Sequence, residues 1–142
     1  MGMATFKFMP LCDASYFLNQ GRGVPQTQLS YEQVGRNLRS SILMSWAAVE
    51  GAASYELEKL KKSGYKGKLP ESLRGRLKLL LEQKQQSFDL ESFKEWYKWR
   101  NRITHPQDSR KYTQPSFDIA QGNFNYCLGL MRGFYSLNLD FS

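Results

Sequence analysis

The sequence predicts an all-α protein, an antiparallel bundle of four to five helices. Apolar residues recur at intervals of three and four along several separate stretches, the period of an amphipathic helix. No stretch alternates apolar and polar residues for long enough to argue a sheet. The connections are short, which suits neighbouring helices in a bundle. With 142 residues, 41% hydrophobic and 14% aromatic, the chain is long enough for one core without disulfide or metal staples.

Residues 1–29 have mixed periodicity, with Pro10, Gly21, Gly23 and Pro25 as breakers. They read as an extended or partly helical N-terminal arm packed on a body formed by residues 30–142. The first long helix of the body should begin at Ser30, since Ser30 and Gln33 have capping-box spacing. Its apolar stripe is Leu38, Ile42, Trp46, Val49, Ala53, Leu57 and Leu60. Lys61, Lys62 and Gly64 close it, with positive charge at the dipole's C-terminal end and a glycine beyond. Ala47, Ala48, Gly51 and Ala52 put small residues on another side, where a second helix would approach closely.

The next helix should start at about Pro70, a first-turn proline, with Leu73, Leu77, Leu80 and Leu81 on its apolar face. A third begins near Asp89, a suitable N-cap, and carries Phe93, Trp96, Tyr97 and Trp99. A fourth runs from near Ser116 to about Asn138. Its face is Phe117, Ala120, Phe124, Cys127 or Leu128, Met131, Phe134 and Tyr135.

The aromatic helix ends in Arg100-Asn101-Arg102-Ile103-Thr104-His105, followed by Pro106, and His105 is the chain's single histidine. At about 100° per residue, Arg100 falls about 20° from Phe93, inside the aromatic sector. An unpaired charge buried there would be very costly. Arg100 therefore needs a partner: Glu50 on the flank of the first helix, or an anion or second subunit across a cleft. Arg102 falls about 180° from Phe93, on the polar side, as a solvated charge. His105 is about 140° from Arg100 on an ideal helix, so the two would not address one phosphate from a straight helix. Pro106 pushes the residue before it out of the α region. The helix should thus stop near Thr104 or His105, leaving the histidine to swing back or to meet a second protomer.

Charge and cysteine usage narrow the function classes. The formal net charge is +7 and the pI about 9.5, which favours an anionic partner. Nine Lys or Arg lie between residues 59 and 84 against Glu71 and Glu82. Such a cluster would track a phosphate backbone or serve as a solvated, solubilising face. Cys12 and Cys127 have no metal-ligand spacing and read as reduced thiols, and with one histidine no zinc site is expected. No secretory signal opens the chain and no apolar run reaches bilayer length. Phe6 stands where N-myristoylation wants Ser or Thr. The expectation is a cytoplasmic protein with no membrane partner, no metal and no cofactor.

The string Arg100-Asn101-x-x-x-His105 resembles the Arg-x(4–6)-His motif of the HEPN superfamily, in which a polar residue, often Asn, follows the Arg. The resemblance spans residues 30–138, with its specific part at 100–105 and a weak similarity at Trp46–Glu50. It implies a HEPN-like helical domain and a metal-independent endoribonuclease of a toxin–antitoxin or other defence system. In that case His105 acts as general base or acid on the ribose 2′-OH. Arg100 stabilises charge on the phosphorane, and Asn101 orients His105 or the phosphate. The products are a 2′,3′-cyclic phosphate and a 5′-hydroxyl. The family's habit of building the site across a homodimer implies a composite site here. The implied partners are RNA and an antitoxin or inhibitor protein. Lys94, Lys98, Arg102, Arg110 and Lys111 become candidate RNA-binding residues around the motif, with Tyr97, Trp99 and Tyr112 able to stack on bases. The alternative is a non-catalytic HEPN-like module binding RNA, a nucleotide or a protein. A toxin subgroup of the family carries His-x-Tyr, whose Tyr a nucleotidyltransferase modifies. Gln107 stands in that place, so regulation by that route is not expected.

Overall fold

A computed structural model describes residues 9–22, 28–105 and 114–134. They form α1 (Met9–Gln20), α2 (Gln28–Lys62), α3 (Leu73–Gln83), α4 (Leu90–Thr104) and α5 (Phe117–Phe134). The chain is an all-α helical bundle, with no strand among the described residues.

The expected arm contains a helix. Pro10 does not break α1, because it stands in the first turn, where an N–H has no intrahelical acceptor to lose. Leu11, Ala14 and Leu18 are buried. The Ser41 hydroxyl donates to the Ala14 carbonyl at 2.8 Å, and Gly21 lies against Leu38. These contacts run α1 antiparallel to α2.

Helix α2 starts at Gln28, so Ser30 lies inside the helix rather than at its cap. Leu38, Ile42, Trp46, Val49, Ala53 and Leu57 are all buried, and each large side chain among them contributes about 1.5–3 kcal/mol on burial. Ala48 and Ala52 are buried as well. Gly51 opens onto free space, with nothing within 4 Å of a Cβ placed there, so it is not a point of close helix approach. The helix closes where the sequence predicts. Gly64 adopts φ +101°, Tyr65 N–H donates to the Leu60 carbonyl and Gly64 N–H to that of Lys61. That is the Schellman pattern, which needs a left-handed residue at the glycine's position.

Helix α3 begins three residues beyond Pro70. Ser72 takes the cap, its hydroxyl accepting from Gly75 N–H at 3.1 Å, so a hydroxyl rather than the proline sets the start. Leu77, Leu80 and Leu81 are buried, and Leu73 packs against the core half-buried. Asp89 caps α4 as expected, accepting from Glu91 and Ser92 N–H. Ser116 accepts from Ile119 N–H at the start of α5. Both Cys127 and Leu128 are buried; Tyr135 and the expected end near Asn138 lie outside the described residues.

Arg39 donates to Gln114 at 2.5 Å and Trp46 to Asn123 at 2.9 Å, so α5 runs alongside α2 in the same sense. The antiparallel arrangement thus holds for α1 and α2 but not for this pair. No helix among the described residues is long and apolar enough to cross a membrane.

Candidate functional site

Trp46, at the centre of α2, organises the site. Its indole is buried and donates to Asn123 Oδ1 on α5, while the Asn123 amide donates to the Ile119 carbonyl at 3.3 Å. A buried indole N–H needs an acceptor, and Asn123 supplies it from an otherwise apolar face. Phe93 and Tyr97 of α4 meet the Trp46 ring edge-on at 5.7 and 4.9 Å, and stack on each other at 4.9 Å. Tyr126 of α5 lies 6.0 Å from Trp46 and stacks with Trp96. This aromatic cluster fixes the rotation of α4.

The rotation sets the place of Arg100. Its guanidinium carbon lies 5.5 Å from the Tyr97 ring centroid, and Nη2 is 3.5 Å from Glu50 Oε1. Glu50 is the flanking carboxylate that the sequence offers as one of two partners, the other being an anion or second subunit. The arginine side chain is 26% exposed and the glutamate 40%, so the pair sits at the rim of the bundle. Arg100 Nη1 also faces Asn101 Oδ1 at 3.4 Å. The Thr104 hydroxyl donates back to the Arg100 carbonyl, and His105 N–H donates to the Asn101 carbonyl at 2.8 Å.

At His105 the backbone leaves the helix, with φ −128° and ψ 72°, the departure from α geometry that a following proline favours. Its imidazole is exposed and makes no hydrogen bond among the described residues. The structure therefore brings Arg100 and Asn101 together and leaves His105 at the exposed cap of the same turn. Among the described residues no group of three or more His, Cys, Asp or Glu stands together to hold a metal ion.

Of the candidate RNA-binding residues, Lys94 is exposed and pairs with Glu91 at 4.0 Å. Lys98 and Arg102 are exposed, and Arg102 lies 5.0 Å from the Trp99 ring centroid. Arg110, Lys111, Tyr112 and Gln107 lie outside the described residues. Trp99 is 8% exposed, so it belongs to the core and does not offer a face to a base. Tyr97 is half-buried and takes Arg100 on its ring.

The electrostatics follow burial. The Tyr97 phenol is raised above its ordinary value by burial, opposed by the Arg100 charge and reinforced by Glu50. Burial pushes Tyr126 up to about 12, with smaller contributions from Cys127 and Asp89. The Cys127 thiol is held well above its ordinary range by burial, then by Glu50, which makes it a poor nucleophile. Asp89 lies below the usual carboxylate range, chiefly through the Ser92 hydroxyl.

Sequence reasoning found Arg100 and Glu50 but missed Asn123 and Tyr126. The signal for Asn123 was present: it adjoins Phe124 and lies three residues from Ala120 on an apolar face. No family model matches the sequence, and no curated protein or solved structure matches it.

Proposed function

We propose that the chain is a metal-independent endoribonuclease of the HEPN type, acting in a toxin–antitoxin or other defence system. The observation that carries the reading is the asymmetry within about a turn and a half at the end of α4. Arg100 is held in place by Glu50 and Tyr97, while His105 stands exposed where the helix stops. A fixed guanidinium suits the developing charge of a phosphorane. An exposed imidazole suits proton transfer with a substrate hydroxyl.

In the reaction His105 of one protomer takes the 2′-OH proton as the oxygen attacks phosphorus. The 5′ oxygen leaves and receives a proton from the second copy's histidine, giving a 2′,3′-cyclic phosphate and a 5′-hydroxyl. Arg100 neutralises the equatorial oxygens and Asn101 orients the phosphate. One histidine per chain and two protons to move favour a composite homodimeric site.

The test is incubation of the purified protein with RNA in EDTA, followed by end-group analysis. Cleavage with cyclic phosphate ends, lost in His105→Ala and in Arg100→Ala, supports the reading. Absence of cleavage by the wild type, or cleavage that survives both substitutions, overturns it. One observation favours a second reading, a non-catalytic RNA-binding module: Glu50 already provides the countercharge of Arg100. Salt-dependent RNA binding without turnover selects that reading.

A further inference from the structure

The chain's charge is unevenly distributed. Of its 20 Lys and Arg, nine lie between residues 59 and 84, against two of its 13 acids. The remaining 116 residues hold eleven basic and eleven acidic groups. Residues 59–84 thus carry a net charge equal to the whole excess of +7, and counting Glu56 and Glu58 at the end of α2 still leaves nine basic groups against four acids over 56–84.

Little of this charge is used internally. Lys59 pairs with Glu56 at 3.5 Å, and the Arg76 guanidinium donates to the Pro70 carbonyl at 3.0 Å. Lys61, Lys62, Lys66, Lys68, Arg74 and Lys78 are exposed and form no salt bridge among the described residues. By contrast, the α4 face near the motif interleaves Lys94 and Lys98 with Glu91 and Glu95, and one of those pairs is formed.

From these observations we infer that the α2 end, the 63–72 connection and α3 form the docking surface for the phosphate backbone of single-stranded RNA. The inference rests on the ribonuclease or RNA-binding reading above and names where the strand lies. Helix geometry joins the surface to the site. Lys61 follows Glu50 by eleven residues, about 16 Å along α2 and rotated by only about 20°. Between them Ser54 and Glu58 are exposed, while Leu57 is buried, so a strand passes on the Ser54 side of the helix. A strand held at Lys61 reaches the Glu50–Arg100 pair within about five stacked nucleotides, at about 3.4 Å each. An anionic membrane fits less well. Insertion requires apolar or aromatic anchors, and the exposed large hydrophobics among the described residues, Met9, Tyr16 and Tyr31, are all elsewhere.

The test uses the full chain with a fluorescent single-stranded RNA carrying 2′-O-methyl groups, which cannot be cleaved through the 2′-oxygen. Affinity is read by anisotropy across a KCl series. The variant Lys61→Gln/Lys62→Gln/Lys66→Gln/Lys68→Gln should lower the slope of log affinity against log salt by about 3, from about 0.7 per lost phosphate contact. Its affinity at about 100 mM KCl should weaken by about tenfold or more. Circular dichroism of the same variant should be that of the wild type. The inference is overturned if slope and affinity do not change. It is equally overturned if the loss appears instead in Lys94→Gln/Lys98→Gln/Arg102→Gln, which would place the strand along α4. A third overturning result is lysine-dependent binding to phosphatidylserine vesicles with no binding to RNA. Turnover separates the two claims: cleavage with an unchanged slope keeps the nuclease and removes this surface, while lysine-dependent binding without cleavage does the reverse.

Discussion

Replacing Glu50 by Gln separates a structural role of Arg100 from a chemical one. At 3.5 Å the Coulomb attraction is about 5 kcal/mol for an effective dielectric of about 20. That figure is far above the net worth of the pair, because its side chains are 26% and 40% exposed. Solvent screening and side-chain ordering reduce such pairs to about 1 kcal/mol or less. Glu50→Gln keeps the shape and should lower stability by about 1 kcal/mol, or about 4 °C in Tm for a chain of this size. Arg100→Ala also removes the contact with Tyr97 and should cost about 1–2 kcal/mol. Domains of this size have about 5–15 kcal/mol of stability, so both variants should remain more than about 90% folded at 25 °C. A fall of about 10²–10³ in kcat for Arg100→Ala then measures lost transition-state stabilisation. Glu50→Gln should instead bind RNA more tightly, because it removes a negative charge beside the phosphate. Urea denaturation, near-ultraviolet circular dichroism and cleavage kinetics on the same preparations make the comparison. If Glu50→Gln unfolds the protein at 25 °C, or lowers Tm by more than about 12 °C, the pair is a core strut and the reasoning fails.

Three further outcomes are expected. Asn123→Ala leaves the buried Trp46 indole without its acceptor and should cost about 1–3 kcal/mol; combining it with Trp46→Phe should recover part of that loss in a double-mutant cycle by urea denaturation, and strict additivity would refute the coupling. Gly122→Ala sets a Cβ into the Trp96 ring, so overpacking should destabilise by about 1–3 kcal/mol, whereas Gly51→Ala, in open space, should stabilise α2 by up to about 1 kcal/mol. Tyr126 ionises at about 12 in the fold and about 10 when unfolded, so its contribution is intact below about pH 10 and is lost as pH rises to about 12. Allowing for its partial exposure, that contribution is about 1 kcal/mol, and melting curves from pH 9 to 12 should fall less steeply for Tyr126→Phe than for wild type.

The sequence patterns that were legible are the ones with a local cause. The α2 stripe from Leu38 to Leu57, the Asp89 cap, the Gly64 terminator and the helix stop before Pro106 each depend on a few neighbouring residues. The helical wheel and the cost of a buried charge require a partner for Arg100 and name Glu50 as one of two candidates, the other being an anion or second subunit; the choice between them depends on the packing of α4 on α2. The misreadings arose where two local signals competed. Pro10 reads as a breaker although a first-turn proline is tolerated, and Pro70 reads as a helix start that the Ser72 hydroxyl claims. Ser30 and Gln33 have capping-box spacing, yet the helix runs two residues further back. Trp99 shows a limit of another kind. Its wheel position lies outside the sector of Phe93 and Tyr97, and its burial depends on packing that no spacing rule encodes. The partnership of Trp46 with Asn123 joins residues 77 positions apart, beyond the reach of any periodicity.

The 35-residue length of α2 also determines how the molecule opens. The helix extends for about 52 Å, and its central turns are bonded to α1 through Ser41 and to α5 through Trp46. Amides there exchange with solvent only when the whole bundle comes apart, and they report the global free energy of unfolding. The last turn of α4 is different. Asn101, Arg102, Thr104 and His105 are exposed, and among the described residues the rim ion pair of Arg100 with Glu50 and the half-buried Ile103 hold that turn to the bundle. Its amides should exchange through a local fraying that leaves the bundle intact. The histidine's direction is thus set at a far smaller energetic scale than the fold itself, so whatever docks against that turn can re-aim it.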